Sequence, residues 1–236
     1  MFTTVLFDLD HTLLDSHASE SMAYRATLEG VGVGDPDAHF AVYDRINREL
    51  WAAVEAGTIG PDDVRVSRFE RLIAERHLDA DPQAMADRFV AGLGAYGELY
   101  EGAEDLLRRL GGFARLGLVT NGIGEVQRAR IERLGIESSF STIVISGEVG
   151  TAKPGTAIFD IAFARLGNPP LGTTLMVGDS LTSDIAGGIN YGIATCWYNP
   201  PRNGSPPKPS PRHIHPTYEV SDLLAIETIV TADAVR

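Results

Sequence analysis

The N-terminal sequence contains the stretch VLFDLDHT at residues 5–12. Its first three residues are bulky and apolar, and two aspartates follow with one leucine between them. A short apolar run of this kind predicts a buried strand, with Asp8 and Asp10 at its carboxyl end. In an open parallel sheet, ligands bind beyond the carboxyl ends of the strands. The stretch therefore predicts the first strand of a sheet and the first two side chains of a polar site.

The next segment, residues 15–100, has a helical pattern and contains no convincing strand. Helix starts are marked by DP at 35–36, GPDD at 60–63 and DP at 81–82. Proline is favoured in the first turn of a helix, and acidic side chains are favoured around it. We therefore predict a bundle of about four helices, inserted directly after the first strand.

From residue 101 onward, strand and helix patterns alternate. We predict strands at 115–119, 142–146, 174–177, 193–198 and near 217, and helices at 103–110, 124–134, 156–166, 183–191 and up to 229. Alternation of this kind predicts an α/β fold with a doubly wound parallel sheet, built from residues 1–14 and 101–236. Seven of the 13 prolines lie in residues 199–216, which predicts an extended surface loop.

Composition and charge exclude several classes of protein. Hydrophobic residues make up 44% of the chain and charged residues 22%, which is globular composition. No apolar run reaches the length of a membrane span, and no secretory signal is apparent. The net charge of −12 argues against binding to nucleic acid or to a membrane surface. The single cysteine, Cys196, cannot form an internal disulfide, so a cytoplasmic location is expected.

Four polar clusters lie at predicted strand ends or in the loops after them. They are DLDHT at 8–12, TNG at 120–122, KP at 153–154 and GDSLTSD at 178–184. Each cluster alone has an ordinary structural interpretation as a helix cap, a turn or a helix entrance. All four in this order would meet at one edge of the sheet, which indicates a functional site.

The residue types in these clusters suit the handling of a phosphate. Carboxylates such as Asp8, Asp10 and Asp179, gathered without histidine or cysteine, favour Mg²⁺ over zinc. Lys153 is one of only two lysines in a chain with 18 arginines. A compact ammonium group beside a carboxylate nucleophile suits lysine better than the broad guanidinium fork. The Thr120 hydroxyl can donate to a phosphoryl oxygen.

Together the four clusters resemble the four motifs of the haloacid dehalogenase superfamily, and the resemblance covers essentially the whole chain. It implies a Rossmann-like core with an α-helical cap of the C1 type, at residues 15–100. It also implies that Asp8 attacks phosphorus and that Asp10 serves as general acid and then as general base. Thr120, Asn121 and Lys153 would bind the substrate. Mg²⁺ would be held by Asp8, by the backbone carbonyl of Asp10 and by Asp179, with Asp184 in support.

The acid at position 10 bears on the type of reaction. Haloacid dehalogenases lack it, since a halide leaves without a proton, whereas an alcohol leaving group needs one. Stretches such as VTNG at 119–122 and ISGEVG at 145–150 are similar to the bacterial pyrimidine 5′-nucleotidase branch. We therefore expect a Mg²⁺-dependent phosphatase of small phosphate esters that works through an aspartyl-phosphate, as a monomer or homodimer. The similarity favours pyrimidine nucleoside 5′-monophosphates as substrates. The alternatives are a phosphatase of sugar phosphates, N-acylneuraminate 9-phosphate or phosphoglycolate, or a non-catalytic phosphate sensor.

Several other residues have two interpretations. Trp51 and Phe69 would either stack on a nucleobase or pack the core of the cap. Arg65, Arg68 and Arg71 are spaced to share a helix face, where paired surface charges are the favoured interpretation. His213 and His215 lack a third metal ligand nearby in the sequence.

Overall fold

The computed structural model describes residues 1–201, 206–207, 209 and 213–232. Within these residues the core is a six-stranded parallel sheet with the strand order β3-β2-β1-β4-β5-β6. The strands are β1 (Thr4–Phe7), β2 (Arg115–Thr120), β3 (Thr142–Ile145), β4 (Thr174–Gly178), β5 (Ala194–Tyr198) and β6 (Tyr218–Val220). The first strand lies in the middle, between β2 and β4, and both of its faces are covered: Val5 and Phe7 pack in one buried cluster and Leu6 in another. This explains why its apolar run is continuous rather than alternating.

Helices cover the sheet and also form a separate unit. They are α1 (Ser16–Gly30), α2 (Asp37–Glu55), α3 (Pro61–Arg76), α4 (Pro82–Ala95), α5 (Ala103–Leu110), α6 (Gly124–Arg133), α7 (Ser146–Val149), α8 (Ala157–Arg165), α9 (Ala186–Tyr191) and α10 (Ala225–Thr231). The first four follow β1 without an intervening strand, and every residue between Ser16 and Ala95 is described. We call α1–α4 the cap. The predicted α/β fold with an inserted helical unit is confirmed.

The cap has a hydrophobic core distinct from the two clusters that flank the sheet, and Ile123 and Val126 of the sheet domain extend it. Aromatic rings dominate it: Tyr43 lies 4.5 Å from Tyr24, 6.1 Å from Phe69 and 5.8 Å from Phe89, measured between ring centroids. Phe69 is fully buried, so it belongs to the packing of the cap. Trp51 is only partly buried. Packing of the cap core therefore accounts for Phe69, whereas the Trp51 side chain keeps an exposed part that a ligand can contact.

The chain leaves the sheet domain for the cap and returns to it through two adjacent segments. The Asp15 backbone N–H donates to the Glu98 carbonyl at 2.9 Å, and the Tyr100 N–H donates to the Leu13 carbonyl at 2.8 Å. The Asp15 side chain also accepts from the Ala18 N–H and so caps α1. The backbone bonds hold the outgoing and returning segments together, and the domain boundaries at residues 14–15 and 100–101 remain a prediction.

Arg68 differs from its predicted role as a paired surface charge. It is 2% exposed, its Nε donates to the Val64 carbonyl at 3.1 Å, and its guanidinium lies 5.0 Å from the centre of the Phe89 ring. Arg65 does form a surface ion pair, with Asp87 at 2.7 Å. Three-residue spacing places arginines on one face but does not identify which of them the neighbouring helices cover.

Two other regions complete the comparison with the predicted elements. The predicted helix at 183–191 begins as a π-helical turn, Leu181–Ile185, and continues as α9. The proline-rich loop at 199–216 lies partly outside the described residues, and within it His213 and His215 are exposed. Among the helices that the structure describes, none combines the length and the apolar character that crossing a membrane requires.

Candidate active site

Three carboxylates meet where β1 and β4 end. Asp8 follows β1 and Asp179 follows β4, the neighbouring strand, while Asp184 lies in the π-helical turn just beyond. One oxygen from each of the three lies within 4.8 Å of the others. Asp8 and Asp184 are almost completely buried, at 6% and 1% exposure. Without a cation, carboxylates this close and this dry would repel one another.

Lys153 supplies a cation to this group. Its Nζ donates to Asp8 Oδ1 at 2.7 Å, to Asp184 Oδ1 at 2.6 Å and to the Val119 carbonyl at 2.6 Å. An ammonium group has three N–H donors, so all three are used. Burial opposes the charged form, but Asp184 and Asp8 together raise the pKa of Lys153 above its ordinary value. Lys153 is therefore a fixed positive charge in a fully buried position.

Asn121 holds the backbone of Lys153. Its Nδ2 donates to the Lys153 carbonyl and its Oδ1 accepts from the Lys153 N–H, both at 2.9 Å. This two-point contact ties the loop after β2 to the segment that carries the lysine. The prediction that Asn121 binds substrate remains a prediction, while the structure gives its amide this positioning contact.

The turn that carries Asp184 is built around Gly178. A Cβ at residue 178 would lie 2.2 Å from Asp184 Oδ2, so only glycine leaves room for the carboxylate. The same Oδ2 accepts from the Ser180 N–H at 2.9 Å. Trp197 on β5 donates its Nε1–H to the Asp179 carbonyl at 2.9 Å. Gly178 and Ser180 therefore hold the Asp184 carboxylate in place, and Trp197 holds the Asp179 backbone.

Asp10 does not face the other carboxylates. Its Oδ1 accepts from Ser16 Oγ at 2.5 Å and from Arg130 Nη1 at 2.7 Å, and its Oδ2 accepts from Gln127 Nε2 at 2.5 Å. Burial raises the pKa of Asp10, but Arg130, with further contributions from Ser16, His11 and Gln127, holds it below its ordinary value. At Asp8, in contrast, burial raises the pKa well above its ordinary value, although Lys153 opposes the shift.

Arg130 and Gln127 are functional-site residues that the sequence prediction missed. Arg130 is 4% exposed, and besides Asp10 it donates from Nε to the Leu93 carbonyl at 2.9 Å and from Nη2 to Ser19 Oγ at 3.1 Å. Both of those acceptors belong to the cap. The sequence shows only that Gln127 and Arg130 are three positions apart in a polar helix, and their burial is visible only in the structure. The contacts of the two residues with Asp10 span 117 and 120 residues and have no local pattern.

A cavity of about 680 Å³ opens over Asp8, Asp10 and Asp179. The cap contributes Glu20, Asn47, Trp51, Glu55 and Arg68 to its wall. Thr120 and Lys153 are fully buried and lie outside the lining, so their predicted contact with substrate remains a prediction. Gln127 Nε2 donates to Thr120 Oγ1 at 2.9 Å. The volume is in the range of small-molecule binding sites.

The donor set fits a hard divalent cation. All three ligand candidates are carboxylates, which match the oxygen preference of Mg²⁺. A bound cation would also favour ionised Asp8, whose pKa burial otherwise raises. Both oxygens of Asp184 already accept hydrogen bonds, one from Lys153 and one from Ser180, which suits a supporting position. At Asp8 only Oδ1 has a short bond, since Thr12 Oγ1 is 3.5 Å from Oδ2. Direct ligation by Asp8, Asp179 and the Asp10 carbonyl remains a prediction.

Comparison with known proteins identifies relatives along nearly the whole chain. The family model of haloacid dehalogenase-like hydrolases matches residues 2–192. Pyrimidine 5′-nucleotidase YjjG of Escherichia coli is 36% identical over 226 residues, 96% of this chain and 96% of its own length. Pyrimidine 5′-nucleotidase PynA of Streptococcus pneumoniae is 37% identical over 199 residues, 83% of each chain. The magnesium-bound crystal structure of the HAD-hydrolase YfnB from Bacillus subtilis matches with a TM-score of 0.88 and 35% identity, over 98% of this chain and 99% of that one.

The contact between Gly178 and Asp184 predicts the outcome of Gly178→Ala. The added methyl group must displace the Asp184 carboxylate, which weakens its bonds to Lys153 and Ser180. We expect the free energy of unfolding to fall by about 1–3 kcal/mol, as for other overpacked buried sites. Urea denaturation followed by circular dichroism measures it.

Gly172→Ala is the matched control, because a Cβ there meets nothing within 4 Å. Equal stability of the two variants would show that the turn adjusts without cost, contrary to the tight packing inferred here.

Proposed function

The chain belongs to the haloacid dehalogenase-like hydrolases, and from that premise we propose that it is a Mg²⁺-dependent phosphatase of pyrimidine nucleoside 5′-monophosphates. The observation that carries the phosphatase assignment is the placement of Asp8 at the floor of the cavity, with Lys153 bonded to one of its oxygens. A buried carboxylate with a fixed ammonium beside it is a suitable nucleophile for a phosphoryl group. The nucleotide preference is supported by the relatives from two bacteria that are named pyrimidine 5′-nucleotidases.

In the proposed reaction, an oxygen of Asp8 attacks phosphorus and Asp10 protonates the leaving alcohol. Asp10 then accepts a proton from the water that hydrolyses the aspartyl-phosphate. Lys153 keeps Asp8 in place, and its charge opposes the build-up of negative charge around the reacting group. When bound at Asp8 and Asp179, Mg²⁺ neutralises charge on the phosphoryl oxygens.

The contacts of Asp10 suit the second half of this cycle. Arg130 holds the pKa of Asp10 low, which favours the carboxylate that must accept a proton from water. To act as an acid, Asp10 needs a higher pKa, and loss of the Arg130 contact would raise it. Because Arg130 also bonds to Ser19 and Leu93 of the cap, cap movement is a direct way to break and remake that contact.

The cap is proposed to select the leaving group. Residues 15–100 would move about hinges near Asp15–Ser16 and in the segment 92–102. Closure covers the cavity and excludes bulk water from the reacting carboxylates. The ring of Trp51 lines this cavity and is accessible to stack on a flat base, unlike that of Phe69.

Asp8→Asn is expected to abolish Mg²⁺-dependent hydrolysis of p-nitrophenyl phosphate. The amide is nearly the size of the carboxylate, so the fold survives while the nucleophile is lost. Phosphate release is the measurement, and circular dichroism checks the fold. Asp105→Asn, at an exposed ion pair with Arg108, is the control and keeps normal activity. Activity of Asp8→Asn near that of this control would exclude the covalent mechanism.

Lys153→Arg is expected to lower kcat/KM at least ~10-fold even though the charge is kept. The three acceptors around Nζ lie at 2.6–2.7 Å in a fully buried position, and the guanidinium fork is too large for it. Steady-state kinetics on p-nitrophenyl phosphate measures the effect. Lys208→Arg, at the only other lysine, serves as the control. Unchanged kinetics in Lys153→Arg would mean that charge alone matters at this position.

Substrate preference tests the nucleotidase proposal. We expect dUMP, dTMP or UMP to have a higher kcat/KM than phosphoglycolate or hexose phosphates at fixed Mg²⁺ and pH. A nucleoside fills the cavity and uses the contacts of the cap to favour closure, which smaller esters do not. If a sugar phosphate or phosphoglycolate exceeds every nucleotide tenfold, the nucleotidase assignment is wrong and the phosphatase mechanism remains.

A further inference from the structure

The wall of the cavity contains a buried amide with an unused acceptor. Asn47 lies on α2, lines the cavity and is 9% exposed. Its Nδ2 donates to Glu20 Oε1 at 2.6 Å. Its Oδ1 is buried and has no hydrogen-bond partner among the described residues. Buried polar atoms in native proteins nearly always have a partner. Because this oxygen has almost no exposed surface here, a partner from outside the chain must reach it through a rearrangement of the cap around a bound ligand.

The orientation of the amide is determined by Glu20. An ionised carboxylate only accepts hydrogen bonds, and Glu20 Oε1 already accepts one from the Tyr43 hydroxyl at 2.7 Å. Rotating the Asn47 amide by half a turn would bring its oxygen against that carboxylate. Nδ2 therefore faces Glu20, and Oδ1 is the acceptor that remains. One hydrogen of Nδ2 is also left over after the bond to Glu20.

Position along α2 relates this acceptor to the reacting end of the cavity. Asn47, Trp51 and Glu55 follow one another at four-residue intervals, which places them on one face of the helix, and all three line the cavity. Glu55 is at the phosphoryl end, where burial raises its pKa and Thr182 and Asp184 are close enough to modify it. Eight residues at 1.5 Å each separate Glu55 from Asn47 by about 12 Å along the helix axis. That separation leaves room for a sugar between a phosphate and a flat ring.

We propose that Asn47 recognises the base of the substrate, with Oδ1 accepting the N3–H of uracil or thymine. The remaining hydrogen of Nδ2 is available to a neighbouring ring carbonyl, and Trp51, one turn away, is available to the face of the ring. This inference rests on the proposed function, since it requires a nucleotide as substrate. It makes Asn47 a specificity-determining residue. Phosphoglycolate has no N–H donor to offer, and it is too short to extend from Asp8 to this acceptor.

The test compares dTMP with 3-methylthymidine 5′-monophosphate, which has a methyl group in place of the N3 hydrogen. In the wild-type enzyme, we expect the methylated nucleotide to have at least ~10-fold lower kcat/KM, because it leaves a buried acceptor unpaired. In Asn47→Ala, and in the smaller polar variant Asn47→Ser, the ratio between the two substrates should fall to within about threefold. Gln83→Ala deletes an amide on the exposed side of the cap and should keep the wild-type ratio.

Two results would overturn the base contact. Equal turnover of both nucleotides by the wild-type enzyme would mean that a bound water, rather than the base, satisfies Oδ1. Unchanged discrimination in Asn47→Ala or Asn47→Ser would mean that the methyl group is rejected elsewhere. Failure of the proposed function gives a different result, in which p-nitrophenyl phosphate is hydrolysed and dTMP is not. The base contact is then wrong as well.

Discussion

The ammonium group of Lys153, buried between Asp8 and Asp184, is the interaction on which the site depends. Three carboxylates could not share this region without a positive charge, and an ammonium could not be buried here without their oxygens. All three N–H groups of Lys153 have acceptors, so the charge is fully solvated by the protein. The rest of the local structure keeps this arrangement in place. Asn121 clamps the lysine backbone, and Gly178 makes room for Asp184.

Asp8 and Asp10 show how two aspartates two residues apart acquire different properties. Asp8 lies in the dry floor of the cavity, where burial raises its pKa, and Asp10 turns to Arg130, which lowers its pKa. The proposed first step needs the opposite order, an ionised Asp8 and a protonated Asp10. A cation at Asp8 and loss of the Arg130 contact at Asp10 would each move the pKa in the required direction. Residues two apart in an extended strand face the same side, so the separation arises in the turn after β1, where residues from α1 and α6 bind Asp10.

The fold and the position of the site were largely predictable from the sequence. Apolar runs located the strands, and polar residues at their ends located the edge where Asp8 and Asp179 meet. The partners of Asp10 were not predictable, because Gln127 and Arg130 reach it across more than 100 residues. The sequence also did not show which side chains of a helix are buried. Arg68 has the same spacing as its surface neighbours, yet the aromatic core of the cap covers it.

Helix α1 connects the two ends of the cavity. Ser16, in its first turn, donates to Asp10, and Ser19 accepts from Arg130, which binds the same carboxylate. Glu20, the next residue, holds the Asn47 amide. A displacement of α1 that settles a base against Asn47 therefore also shifts two groups around Asp10. Because the helix is a stiff element, recognition of the leaving group and protonation of its oxygen need not be separate events. The same motion can serve both, which gives a physical reason for a cap that directly follows the strand that carries the proposed nucleophile.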